Sequence, residues 1–168
     1  MTNNDLVAQL LSSIGMSQSH LQADDVAHIQ VHHNTVVGAH LVPGFEVDVE
    51  EIPDGISARI RVKQRVHLAK PVHVCFGLLP EDGLQYIRLD IDIQEEAHAS
   101  ILAHCTFPNA KNVEHRMDAS ITVAPGSRYS YFERHVHGPH GGVLVVPKAE
   151  VAVQENAEFS TEFELLKG

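Results

Sequence analysis

From Ile87 to Ile93 the chain alternates strictly: Ile87, Leu89, Ile91 and Ile93 are apolar, while Arg88, Asp90 and Asp92 are charged. A period of two means strands, because successive side chains on extended backbone point to opposite faces. The pattern then repeats in step. Ile91-Asp92-Ile93-Gln94-Glu95-Glu96-Ala97 is echoed thirty positions later by Ile121-Thr122-Val123-Ala124-Pro125-Gly126-Ser127, and after thirty more by Val151-Ala152-Val153-Gln154-Glu155-Asn156-Ala157. Ser100, Ser130 and Ser160 recur at the same interval. A fixed period of this size marks a stacked repeat, in which each unit buries its apolar face against its neighbours. With strands as the unit, the prediction is an all-β solenoid: a parallel β-helix with two long strands per turn.

Upstream, Val26–Val31, Phe45–Val49, Ile60–Val62 and Val72–Phe76 read as further strands. Pro43-Gly44, Pro53-Asp54-Gly55 and Pro80-Glu81-Asp82-Gly83 punctuate them as turns. Residues 4–14 differ. Leu6, Val7, Leu10, Leu11 and Ile14 form an i, i+4, i+8 stripe, with Asn4 or Asp5 available as N-cap and Gly15 as terminator. The expected organisation is a helical cap over residues 1–22, covering the first open turn, and a β-helix domain over 23–168. The helix as a partner-binding element is the other reading.

Parity identifies the core. Ile101, Ala103, Cys105 and Phe107 are odd, as are Met117, Ala119, Ile121 and Val123 on the returning strand, and Phe163 and Leu165 later. Odd positions face inward. The turn between breaks the rule, because its odd positions are Tyr131, Glu133, His135 and His137. Thirty-residue stacking sets Cys105 beside His135 and Phe107 beside His137, about 4.8 Å apart along the ladder. An unpartnered carboxylate and two imidazoles are costly to bury. Three arrangements relieve the conflict. A bulge turns Phe132 and Val136 inward instead, the polar groups hydrogen-bond one another, or Cys105, Glu133, His135 and His137 bind a transition metal or a nascent cluster. Thiolate, imidazole and carboxylate suit zinc or iron, and His140, just beyond Gly138-Pro139, can swing in from the loop. For Cys75, a 31-residue step aligns Phe76 with Phe107 and His73 with His104, which turns Cys75 outward.

Composition narrows the function. With 168 residues, 43% hydrophobic and 20% charged, a single soluble domain with a continuous core is expected. A formal charge of −10 with only 12 Lys and Arg repels a phosphate backbone, so no nucleic-acid partner is expected. Neither a membrane span nor a secretory signal is read from the chain. Two cysteines without Cys-x-x-Cys spacing suit a reducing cytoplasm. Thirteen histidines, spread along the chain, are an unusually large share.

Gly-rich phosphate loops, Gly-x-Ser-x-Gly elbows and His-Glu-x-x-His helices are absent from the sequence. His135-Val136-His137 is similar to the His-x-His of cupins, which are metal-binding jelly rolls. Gly141 and Gly142, however, stand where a cupin commonly carries Glu. A small cupin-like metal-dependent enzyme is therefore the alternative reading.

A broader resemblance emerges from Leu68-Ala69-Lys70-Pro71-Val72-His73-Val74-Cys75-Phe76-Gly77 and Ala99-Ser100-Ile101-Leu102-Ala103-His104-Cys105. Tyr131-Phe132-Glu133-Arg134-His135-Val136-His137-Gly138-Pro139 and Glu155-Asn156-Ala157-Glu158-Phe159-Ser160-Thr161 extend it. Together these resemble the SufB/SufD family over about residues 25–168. The resemblance implies a right-handed parallel β-helix and a non-enzymatic scaffold role in iron–sulfur cluster assembly. It also implies a SufC-like ATPase partner and pairing through β-helices. Family members continue into further turns and a C-terminal helical segment, whereas this sequence stops at Lys167-Gly168, as a fragment or a short variant would. The family's proposed cluster-holding Cys and His belong to those later turns and do not transfer to Cys105 or His135. An iron–sulfur cluster, iron or zinc is the expected cargo. The last strand, Phe159 to Leu166, carries an unpaired edge, from which a two-fold homodimer or a SufB/SufD-type pairing is expected.

Overall fold

The computed structural model describes residues 2–167. Among these residues, eleven strands follow one α-helix and a short 3-10 helix (Gln18–Leu21): α1 (Asn3–Ser13), β1 (His28–His32), β2 (Thr35–His40), β3 (Phe45–Ile52), β4 (Gly55–Val62), β5 (Val72–Gly77), β6 (Asp82–Ile93), β7 (His98–Phe107), β8 (Asn112–Val123), β9 (Arg128–His137), β10 (Val143–Val153) and β11 (Glu158–Lys167). They form two sheets, ordered β11-β9-β7-β5-β1-β2 and β10-β8-β6-β4-β3. From β4 onward the chain alternates between the sheets, and from β5 onward each strand lies parallel to the one a turn earlier. This is the β-helix that the period predicts, with about four turns. Parallel stacking excludes the antiparallel jelly roll, so the cupin reading of His135-Val136-His137 is corrected: the motif lies on a solenoid strand.

The repeated sequence is a repeated turn. Arg65, Glu96, Gly126 and Asn156 stack at one corner, all with left-handed backbone (φ 61, 57, 68 and 55°). Their amides climb the corner: Arg65 N–H donates to the Glu95 carbonyl, Glu96 to Pro125 and Gly126 to Glu155, each at 3.0 Å. Gly and Asn adopt this conformation readily. Between the corners, odd side chains from both sheets fill the interior, among them Ile91, Ile101, Phe107, Val113, Ile121 and Tyr129.

Three details depart from the sequence reading. β5 pairs with β7 at a step of 29, setting Phe76 beside Cys105 rather than Phe107. The link between Val62 and Val72 is two residues longer than that between Ile93 and Ile101, which shifts the register by an even number and keeps the parity. The bulge does not form. β7 and β9 stay in register from His98–Arg128 to Phe107–His137, so Glu133, His135 and His137 are buried. The helix is capped by Thr2, in a capping box with Asp5, rather than by Asn4 or Asp5.

The helix does not cover the first open turn, as expected of a cap, but packs on the outer face of the first sheet. Val7 and Leu11 bury Val37 and Cys75, Leu10 covers the bare backbone of Gly77, and the Ser13 and Thr106 hydroxyls share a hydrogen bond of 2.5 Å. Cys75 is thus turned away from the core, yet it is buried beneath α1. At the end of the solenoid nearest α1, the antiparallel strands β2 and β3 flank β1 and β4. At the other end, among the described residues, no strand pairs with the outer edges of β10 and β11. Phe163 and Leu165, inward by parity, are there 50% and 53% exposed.

Candidate metal centre

The polar turn lies inside an apolar core because its strand is pinned on both sides. β9 is held by β7 and β11, so Glu133 and His135 project inward as parity requires. Cys105, on β7, stands beside His135 in the ladder. The fourth member comes from the opposite sheet: His115, on β8, faces His135 across the interior. One ligand atom from each of Cys105, His115, Glu133 and His135 lies within 4.8 Å of all the others, and all four residues are buried.

His135 Nε2–H donates to Glu133 Oε1 at 2.5 Å, and the Cys105 thiol donates to the same oxygen at 3.8 Å. The His137 ring lies 3.4 Å from His135, Nε2 to Nδ1. Phe107 and Phe163 wall the group, with ring centroids 5.0 Å from His115 and 4.9 Å from His135 respectively. Burial raises the Cys105 thiol well above its usual range, and the Glu133 carboxylate adds to the rise. Burial also lowers His115 to about 3, reinforced by His135 and His137. Without a cation Cys105 therefore rests as a thiol and His115 as a neutral imidazole.

Both ring nitrogens of His115 are buried without a hydrogen-bond partner. Such a group loses its water and gains nothing. A divalent cation reverses that balance: it accepts an imidazole lone pair and stabilises the thiolate that burial disfavours. The donor set of one sulfur, two imidazoles and one carboxylate fits iron or zinc.

Of the residues expected at the site, Cys105, Glu133 and His135 converge. His137 is buried beside His135 but is not one of the four. His140 is exposed on the turn after β9. His115 was missed by sequence reasoning. Its signal was parity: it is the next odd position before Met117 on the same strand.

Two curated relatives match the chain. The iron-sulfur cluster assembly SufBD family protein of Pyrococcus horikoshii is 31% identical over 163 residues, 97% of this chain and 49% of that protein. Its namesake from Methanocaldococcus jannaschii is 34% identical over 125 residues, 74% of this chain and 40% of its own length. Over most of its length the chain is homologous to these SufBD family proteins. No protein-family model matches it, and the chain spans about half the length of the curated relatives it matches. Most of the segments that carry the SufBD resemblance fall on β5, β7 and β9, and the last two hold three of the four convergent donors. Among the described residues, no helix is long and apolar enough to cross a membrane.

Proposed function

We propose that this chain, homologous to SufBD family proteins, acts as a non-enzymatic scaffold in iron–sulfur cluster assembly, with iron as cargo at Cys105, His115, Glu133 and His135. The observation that carries the reading is the orphaned imidazole of His115, aimed at three further donors inside an apolar wall. A structural role alone leaves both of its nitrogens unsatisfied, whereas a metal role uses one of them. To bind the metal through Nε2, His135 carries its proton on Nδ1 and donates it to His137 Nε2, so His137 holds the ring in place.

In this reading the chain works in the cytoplasm with a SufC-like ATPase. It pairs with a second β-helix, its own or a related one, along the β10–β11 edge. The relatives' names support the assembly role, and the exposed apolar side chains of that edge support the pairing.

Anaerobic purification followed by iron and acid-labile sulfide analysis tests the cargo role. Wild type is expected to retain or take up iron, and Cys105→Ala combined with His135→Ala to lose it while remaining folded. A wild-type chain that takes up no iron, with or without sulfide, contradicts the reading. Co-expression with a SufC-type ATPase tests the partnership, with a stable complex expected on size exclusion.

A further inference from the structure

We infer that the interior site takes a single divalent transition-metal ion rather than a polynuclear cluster, and that the ion bridges the two sheets. The inference rests on the cargo role above and narrows it to one chemical class.

Donor spacing is the first argument. Two atoms bound to one metal are separated by no more than two bond lengths, about 4.6 Å for sulfur and about 4.2 Å for nitrogen or oxygen. The four donors here lie within 4.8 Å of one another, so small side-chain rotations bring them onto a common centre. Donors on different metals of a cluster sit on its outer side, with the metals and bridging sulfides between them, and so lie farther apart than two donors on one metal. The closest pair, His135 Nε2 and Glu133 Oε1 at 2.5 Å, is well within the span of one metal.

Space is the second argument. Bridging sulfides need volume between the donors, and the aromatic rings of Phe107 and Phe163 occupy the surroundings. A cavity of about 440 Å³ lies towards the β10–β11 end, lined mainly by apolar side chains such as Met117, Ile121 and Val151. Of the four donors it reaches only Glu133.

Charge is the third. On binding, Cys105 releases its thiol proton to solvent. Thiolate and carboxylate then sum to −2 and the imidazoles are neutral, so a divalent ion leaves the buried site uncharged. Sulfur and nitrogen donors exclude magnesium and calcium, which take oxygen. Four protein donors fill a tetrahedral shell, which makes a holding site with no open position for chemistry. Because His115 comes from β8 and the other three donors from β7 and β9, the ion ties the two sheets together.

Anaerobic titration of the reduced full chain with cobalt(II) alone tests this. The expected result is one ion per chain with tetrahedral d–d bands and a thiolate-to-cobalt charge-transfer band. Cys105→Ala should abolish the charge-transfer band, and His115→Leu, which fills the same space, should weaken binding at least about tenfold. Circular dichroism checks that both variants are folded. A parallel arm adds iron(II) with sulfide. Two or more irons per chain, with sulfide and dependent on Cys105, would overturn the single-ion inference and leave the assembly role standing. Cobalt binding indifferent to both substitutions would overturn the site itself. No uptake in either arm would overturn the inference and the cargo role together.

Discussion

His115 and His135 meet across the interior from opposite sheets, their ring centroids 5.6 Å apart and their planes at 63°. One is partnered at both nitrogens, by Glu133 and His137; the other at neither. An unsatisfied buried polar group costs about 1–3 kcal/mol. In chelator, His115→Leu should therefore be at least as stable as wild type to urea. With one equivalent of zinc, wild type should gain stability and the variant should not. Equal gains would mean that His115 is no ligand.

The folded chain holds several histidines neutral, which fixes the direction of its pH dependence. Burial lowers His104 to about 4, with His73 and Arg134 adding to the effect, and burial also lowers His28, His32 and His73. The unfolded chain protonates these near 6.5, so it binds more protons than the folded chain below that pH. Metal-free stability should be full above about pH 6.5 and fall towards pH 4. Each strongly lowered group contributes up to about 1.4 kcal/mol per pH unit. His104→Gln should flatten the slope in urea melts taken across that range; an unchanged slope would mean that His104 does not carry it.

Much of this was legible from period and parity. The thirty-residue repeat reflects the stacked left-handed corner at Glu96, Gly126 and Asn156, and odd parity turns Cys105 inward; at Glu133, His135 and His137 a bulge competed with parity, and the structure keeps them inward without one. What sequence spacing did not place was, above all, what is set across the solenoid. His115 meets His135 only because two sheets close on one interior, and sequence spacing does not encode that distance. The step at Cys75 failed because an extended connection before Val72 shifts register without altering alternation. α1 was legible as a helix, but its resting place on the outer face depends on Gly77, where a missing side chain makes room for Leu10.

That contact is testable. A side chain at Gly77 collides with Leu10, so Gly77→Val should lift α1 from the sheet. Leu10 is fully buried, and Leu10→Ala should cost about 2–5 kcal/mol if the helix stays docked. Cys75 reports the outcome: burial pushes its thiol up to about 12, so it should resist iodoacetamide at pH 8 in wild type and react in Gly77→Val. Equal protection in both would mean that the helix does not shield it.

The β11 edge makes a separate prediction. Phe163, Leu165 and Val153 are exposed beside backbone groups that, among the described residues, have no ladder partner. Self-association in sedimentation at micromolar concentration is expected, and Leu165→Lys should weaken it. Monomeric behaviour of the wild-type chain would remove the pairing role from this edge.

X-ray absorption on the chain loaded with one equivalent of zinc tests the interior site most directly. The account predicts one sulfur at about 2.3 Å and three nitrogen or oxygen neighbours at about 2.0–2.2 Å, with the sulfur lost in Cys105→Ala. A wild-type shell of nitrogen and oxygen alone would place the ion among the surface histidines and contradict the account.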